Sequence, residues 1–235
     1  MGSSTYSREE QHVHPSALLG SVILGLNDGI VTTLVFVLSV STASGRLHTT
    51  VVAGLSEMFA GGVAMFLGGY MAARATREAY QYQVEVERAE IRYEPEEERA
   101  ELTEMYRDRG FRGVLLEDIV HHVTSDPERW LRVMVRDELG SPPEEDYPSW
   151  QFGLAIGLAF AFGALVPLLP FLVGVPYGGV PAIALSVITL AATGAARSRF
   201  SRKLWPVSAG EMVAIGIAGA VAGLAIGHGL AAIGQ

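Results

Sequence analysis

The sequence predicts an all-α membrane protein of five transmembrane helices, with a cytoplasmic three-helix module inserted after the second. Three observations carry this reading. Five segments of 17 residues or more are almost free of ionisable groups, and segments of that length suit a hydrocarbon core of ~30 Å at about 1.5 Å per helical residue. Charge is segregated along the chain. Residues 74–148 hold 11 of the 17 basic and 20 of the 25 acidic residues, a net of −9, whereas the other 160 residues hold 6 basic and 5 acidic, a net of +1. Third, the stretch from Arg74 to Glu94, RATREAYQYQVEVERAEIRYE, has strong helix formers and neither Gly nor Pro, so the second span continues beyond the membrane as one long helix.

Composition narrows the field further. With 49% hydrophobic residues the chain is not a disordered one. A net charge of −8 is the wrong sign for a nucleic-acid binder. The absence of cysteine excludes disulfides, cysteine-ligated zinc and thiol chemistry. The mean hydropathy of +0.30 averages two unlike parts.

The elements follow in order. Residues 1–16 are a polar tail with no basic, apolar and small-residue succession of a secretory leader. Residues 17–73 hold two spans, Ala17–Val40 and Val51–Ala73, joined by a turn over Ser41–Thr50. Each has one ionisable group, Asp28 and Glu57 respectively. The module, 74–148, takes the long helix up to Pro95, then helices near Glu96–Asp108, Arg112–Thr124 and Pro127–Leu139. Gly110, the Ser125-Asp126-Pro127 start and the Gly140-Ser141-Pro142-Pro143 stop punctuate them. Residues 149–235 hold spans Trp150–Val173, Val180–Ala196 and Val207–Ile233. The basic loop RSRFSRK and Arg74 and Arg77 belong in the cytoplasm, which five spans satisfy with the N-terminus inside and the C-terminus outside. Trp150 and Trp205 then mark the inner interface. The missing leader and the preponderance of Arg over Lys point to a prokaryotic inner membrane.

A carboxylate in mid-span costs about 2.5–3.5 kcal/mol on insertion scales and marks a functional site by default. Asp28 sits in Gly25-Leu26-Asn27-Asp28-Gly29, whose glycines permit close helix approach and a locally loosened helix. Glu57 lies nearer the outer face, and an interfacial, hydrogen-bonded acid is its plainer reading. Met65, eight residues on, shares roughly that helix face (about 80° away), amid Gly61, Ala64, Gly68 and Ala72. Hard oxygens with one soft sulfur suit a first-row transition metal better than Mg²⁺ or Ca²⁺. Glu211 opens the fifth span after the basic loop and reads as a charge partner, and His228 as interfacial.

In the module, Glu87 with Glu90 and Glu98 with Glu101 are i,i+3 pairs on successive helices, and Met134 with Glu138 is an i,i+4 pair on the last. Facing pairs can gather carboxylates around a cation. The plainer alternative is a solvated acidic face paired with Arg88, Arg92 and Arg99, but the run has more like charges than those arginines offset. Glu117, Asp118, His121 and His122 supply only half of a di-iron pattern. No nucleotide, nucleophile-elbow or zincin motif occurs, and no acid–base or nucleophile pair outside these clusters argues for an enzyme.

GLNDGIVTTLVFVLSV, GLSEMFAGGVAMFLGGYMAARA, the glutamate-rich helix pair, PERWLRVMVRDELG and VPLLPF together resemble the vacuolar iron transporter family, also called CCC1-like, over nearly the whole chain. The resemblance implies a homodimer of five-span subunits in the lipid bilayer, a cytoplasmic metal-binding module, no prosthetic group, and export of Fe²⁺, often also Mn²⁺, from the cytosol in exchange for protons. Co²⁺ and Zn²⁺ stay open as cargo. It implies that Asp28, Glu57 and Met65 form the transmembrane path and that Glu87, Glu90, Glu98, Glu101, Met134 and Glu138 are the module's ligands. Two positions depart from the family pattern: Gly69, where an acid is common, and Val135, where many relatives carry Met. A membrane-anchored metal sensor or buffer is the rival reading. Asp28 separates the two, since an inert anchor has no use for a carboxylate in lipid.

Overall fold

A computed structural model describes residues 17–140, 148–198 and 203–233. The expected tail 1–16, most of the 141–149 linker and residues 199–202 of the basic loop lie outside them. The described residues form helices and connections, without strands: α1 (Ala17–Ser44), α2 (Leu47–Tyr93), α3 (Pro95–Asp108), α4 (Gly113–Thr124), α5 (Pro127–Met134) running into a π turn (Val135–Leu139), α6 (Ser149–Leu172), α7 (Gly179–Arg197) and α8 (Trp205–Ile233). Five of these, α1, α2, α6, α7 and α8, are long and apolar enough to cross a membrane, as a multi-pass integral membrane protein requires. The chain divides into two compact units, Met1–Gly69 with Trp150–Gln235, and Tyr70–Ser149.

In the first unit α1 is the central stave. Ile30, Leu34, Val37 and Leu38, a helical i, i+4, i+7, i+8 set, are at most 1% exposed. They pack with Leu168 and Phe171 of α6, Ala182 and Leu190 of α7, and Met212 and Ala220 of α8. The contacts are made backbone to backbone. A Cβ on Gly29 would collide with the Phe160 carbonyl, and one on Gly163 with the Leu26 carbonyl. The glycines flanking Asp28 thus serve packing on α6. They do not loosen the helix, which is continuous through them. Gly29→Leu is expected to cost at least ~1–3 kcal/mol, the usual cost of overpacking, read as a lowered unfolding temperature in detergent.

The turn between the first two spans is shorter than Ser41–Thr50. Only Gly45 (φ +62°) and Arg46 separate α1 from α2. The hydroxyls on either side bond back into their own helices, Ser44 Oγ to the Val40 carbonyl at 2.8 Å and Thr50 Oγ1 to the Arg46 carbonyl at 3.1 Å. Burial is uneven among the spans. Half of the α6 crossing window is buried and 39% of that of α1, but only 6% of that of α2.

The second unit closes on an apolar core of Leu102, Leu116, Val120, Val123, Trp130 and Met134. Leu116, Val120 and Val123 recur on one face of α4 at i, i+4 and i+7. The α5 start is capped as its sequence signal requires: the Asp126 side chain accepts from the Arg129 backbone N–H at 2.8 Å, with Pro127 next in the first turn. One expectation fails here. Pro127–Leu139 is not a single α-helix, because the chain widens into the π turn at Val135 and stops at Gly140 with φ +77°. Within that turn Asp137 reaches Arg109, which ends α3, while Met134 stays fully buried. π turns of this kind concentrate at functional positions.

Candidate functional site

Two groups of acids stand out, one in each unit. In the first, Asp28 and Glu57 are both half-buried and within electrostatic range of each other. Each is held by a threonine of α1: Thr32 Oγ1 donates to Asp28 Oδ1 at 3.3 Å, and Thr33 Oγ1 donates across to Glu57 Oε2 on α2 at 2.5 Å. Thr33 is fully buried, so its hydroxyl is directed rather than solvated. Met65 stands half-buried further along α2, and no hydrogen bond among the described residues joins it to either acid.

Sequence reasoning passed over Asn27. Its Oδ1 accepts from Thr193 Oγ1 at 3.0 Å, and its Nδ2 points at Met212 Sδ at 3.8 Å. Asn27, Asp28, Met212 and Arg197 line a cavity of about 610 Å³ among α1, α7 and α8. The signal was available, since an amide in an apolar span calls for a partner as a carboxylate does, but the neighbouring charge drew the attention. Gly69 also gains a reason. A Cβ there would lie 2.9 Å from Ile156 Cδ1 and 3.1 Å from Gly153 Cα, so a larger residue at this position would require the Ile156 side chain to turn and α6 to give by a few tenths of an ångström.

In the second unit Glu87 and Glu98 are 4% and 7% exposed. Glu90 is half-buried, and Glu101 and Glu138 are exposed. None of the five makes an ion pair among the described residues, where the pairs are Arg74–Glu78, Arg109–Asp137, Arg136–Asp137 and Lys203–Glu211. The arginine-paired acidic face is therefore not what forms. Glu87 is pushed up to about 8, first by burial, then by Glu138 and Glu98 against it. Burial and the carboxylates of Glu101, Glu90 and Glu138 raise Glu98, against a hydrogen bond with Glu87 that lowers it. Burial, then Glu138 and Glu90, raise Glu101. Glu87, Glu98 and Glu101 are thus each raised with neighbouring carboxylates among the causes. Glu87 Oε1 and Glu98 Oε2 are buried without a hydrogen-bond partner, which leaves two acceptors with unmet demand. Among the described residues no three acidic or histidine side chains stand close enough together to hold a metal ion. Met134 is 0% exposed, within the apolar core.

Arg109 fixes the π turn that carries Glu138. Its Nη1 donates to Asp137 Oδ2 at 2.6 Å, and the Asp137 side chain is 8% exposed. Burial works to raise Asp137, but the bonds from Arg109 and Arg136 prevail and hold it below the usual range. Arg109→Ala leaves Asp137 only its longer bond to Arg136 (3.3 Å) and is expected to cost about 1 kcal/mol, the lower end of the range for a buried group that loses a partner, measurable as a lower melting temperature at pH 7. The loss shrinks in acid. A lowered carboxyl contributes stability above its ordinary pKa that vanishes as pH falls through the folded value.

Of the remaining candidates, Glu211 pairs with Lys203 Nζ at 2.5 Å, and His228 Nδ1 lies 2.7 Å from the Leu224 carbonyl on its own helix. His122 lies against Arg129. Glu117 and His121 line a cleft with arginines and join no metal-like cluster.

A family model described as the VIT family matches residues 19–228. Vacuolar iron transporter 2 of Oryza sativa subsp. japonica is 30% identical over 210 residues, 88% of this chain and 85% of its own length. Vacuolar iron transporter 1 of Arabidopsis thaliana is 30% identical over 181 residues, 77% of this chain and 72% of its own. Vacuolar iron transporter 1 of Oryza sativa subsp. japonica is 32% identical over 169 residues, 72% and 67%. These relatives are eukaryotic and named for the vacuole, which lends no support to a prokaryotic inner membrane.

Proposed function

The chain belongs to the VIT family, and from that membership we propose that it carries divalent iron, with Mn²⁺ as a second cargo, out of the cytosol in exchange for protons. The observation that supports this most directly is the pair Asp28 and Glu57: two carboxyls within apolar spans, in electrostatic range and each held by a threonine hydroxyl. Groups of this kind bind a cation when ionised and a proton when desolvated, so one site serves both ions in turn. Met65 adds a soft ligand to this path. Glu87, Glu90, Glu98, Glu101 and Glu138 collect metal on the cytoplasmic side, with Met134 as a sixth ligand once metal draws on the core.

The working assembly is a homodimer, N-termini inside and C-termini outside. Its support is α2, whose crossing window is 6% buried and whose small residues Ala64, Gly68 and Ala72 are exposed at four-residue spacing. Small residues at that interval let helices of two copies pack closely in lipid.

The test is a panel of Fe²⁺, Mn²⁺, Co²⁺ and Zn²⁺ in proteoliposomes, with and without an imposed pH difference. Flux of Fe²⁺ that quickens when the lumen is acidic is expected. Flux indifferent to the pH difference would remove proton coupling, and no flux with any metal would leave a membrane-anchored buffer.

A further inference from the structure

We propose that the cleft between α3 and α4 binds a phosphate group. It encloses about 450 Å³ and is lined by Arg99, Thr103, Arg107, Arg112, Glu117 and His121 above the apolar Leu116 and Val120.

The case rests on charge placed against the trend of its surroundings. Residues 74–148 carry a net of −9, yet the lining has three guanidiniums against one carboxylate. Arg99, Thr103 and Arg107 recur every four residues down α3. At about 100° per residue that stripe lies roughly 170° around the helix from Glu98 and Glu101. The same helix therefore turns Glu98 and Glu101 to one side and the arginines to the other; Glu96, in its first turn, falls on the arginine side but does not line the cleft. None of the three arginines forms an ion pair among the described residues. Arg112 is fixed through Nη1, which donates to the carbonyls of Phe111 (2.7 Å) and Arg107, while its other N–H groups stay available. No hydrogen bond among the described residues engages the guanidinium of Arg99 or of Arg107; only their carbonyls accept. In a unit with a large excess of acid, arginines left without carboxylate partners around one cleft are arranged for an anion from outside.

Phosphate is the chemistry this arrangement fits. Planar guanidinium forks bind phosphate oxygens two at a time, and three of them suit a dianion better than a single carboxylate. Thr103 is not a donor here, since its hydroxyl bonds the Arg99 carbonyl at 2.7 Å. Glu117 opposes the anion and moderates affinity. The phosphate can belong to a soluble compound or to a lipid headgroup.

The full-length protein in detergent, free of metal, is titrated with pyrophosphate by calorimetry. In parallel, protein from vesicles of phosphatidylcholine with phosphatidic acid is assayed for retained phosphatidic acid by mass spectrometry. Joint replacement Arg99→Gln and Arg107→Gln is expected to weaken pyrophosphate binding about tenfold or more, as two charge-assisted contacts would. Arg88→Gln with Arg92→Gln, an equal change in charge on exposed positions of α2, should leave it within about twofold. Glu117→Gln should tighten it. The pair Arg99→Lys and Arg107→Lys keeps charge and loses the fork, so it should fall between. It carries the test if the Gln pair fails to fold. Lipid retention abolished by the Gln pair assigns the phosphate to a headgroup, and pyrophosphate binding without lipid retention assigns it to a soluble compound. Binding in neither arm, or equal weakening by the α2 pair, overturns the site.

Discussion

Asp28→Asn is expected to lower metal flux sharply while leaving the protein folded. The amide keeps the shape of the side chain and can still bond Thr32, which lies 3.3 Å away, so the α1 packing around Gly29 is undisturbed. What it loses is the charge. A charge-assisted contact to a cation is worth about 1.5–3 kcal/mol, so flux should fall by roughly tenfold to a hundredfold or more. Thr33→Val probes the same site more gently. Thr33 is buried and its hydroxyl is 2.5 Å from Glu57, and a lost hydrogen bond of this type costs about 1–3 kcal/mol. A partial loss of flux with an altered pH profile is expected, measured as Fe²⁺ or Mn²⁺ uptake in proteoliposomes. Wild-type flux from Asp28→Asn would sink the assignment of the path, and flux from Thr33→Val unchanged in both rate and pH profile would show that Glu57 needs no positioning.

Metal binding by the second unit should strengthen as pH rises and level off above about 8. Glu87 is pushed up to about 8 by burial and by the carboxyls against it, so at neutral pH an entering cation must displace its proton. For one proton released per ion, the apparent affinity for Mn²⁺ gains about tenfold per pH unit below that value. Glu87→Gln should weaken binding and flatten the slope. The sign for stability is the reverse. A raised carboxyl stabilises the fold fully below its ordinary pKa of 4.5, and that contribution is lost as pH rises through about 8. Metal-free protein should therefore melt at lower temperature in alkali, and Mn²⁺ should restore most stability there. A pH-independent affinity in calorimetry on the full chain would rule out Glu87 as a ligand.

Much of the fold was legible because membrane spans are written in length and charge. Asp28 and Glu57 were visible as lone charges in apolar runs, and α2 through Tyr93 followed from a stretch without Gly or Pro. What stayed hidden depends on neighbours distant in sequence. Thr33 bonds a residue 24 positions away, and Thr193 bonds Asn27 across 166. No local pattern encodes such pairs. The π turn was hidden for a similar reason, since its sequence VRDEL is good α-helix and the Arg109–Asp137 bond that goes with the widening comes from α3. The glycines beside Asp28 are ambiguous in sequence, because a glycine that loosens a helix and one that lets another helix touch it look alike there.

Those glycines also bear on how a carrier of this design would move. Gly29 and Gly163 join α1 to α6, Gly157 brings α6 within 2.7 Å of the Gly62 carbonyl of α2, Gly223 brings α8 within 2.8 Å of the Val35 carbonyl, and Gly194 brings α7 within 2.7 Å of the Ser208 carbonyl, each distance taken from an added Cβ. Helices meeting main chain to main chain have no long side chains to flex between them, and shear across such a seam has little give. Through these seams each of the five helices meets at least one neighbour backbone to backbone. Any change of access around Asp28 and Glu57 is then expected to shift whole helices together, with these main-chain contacts kept, rather than to bend single helices.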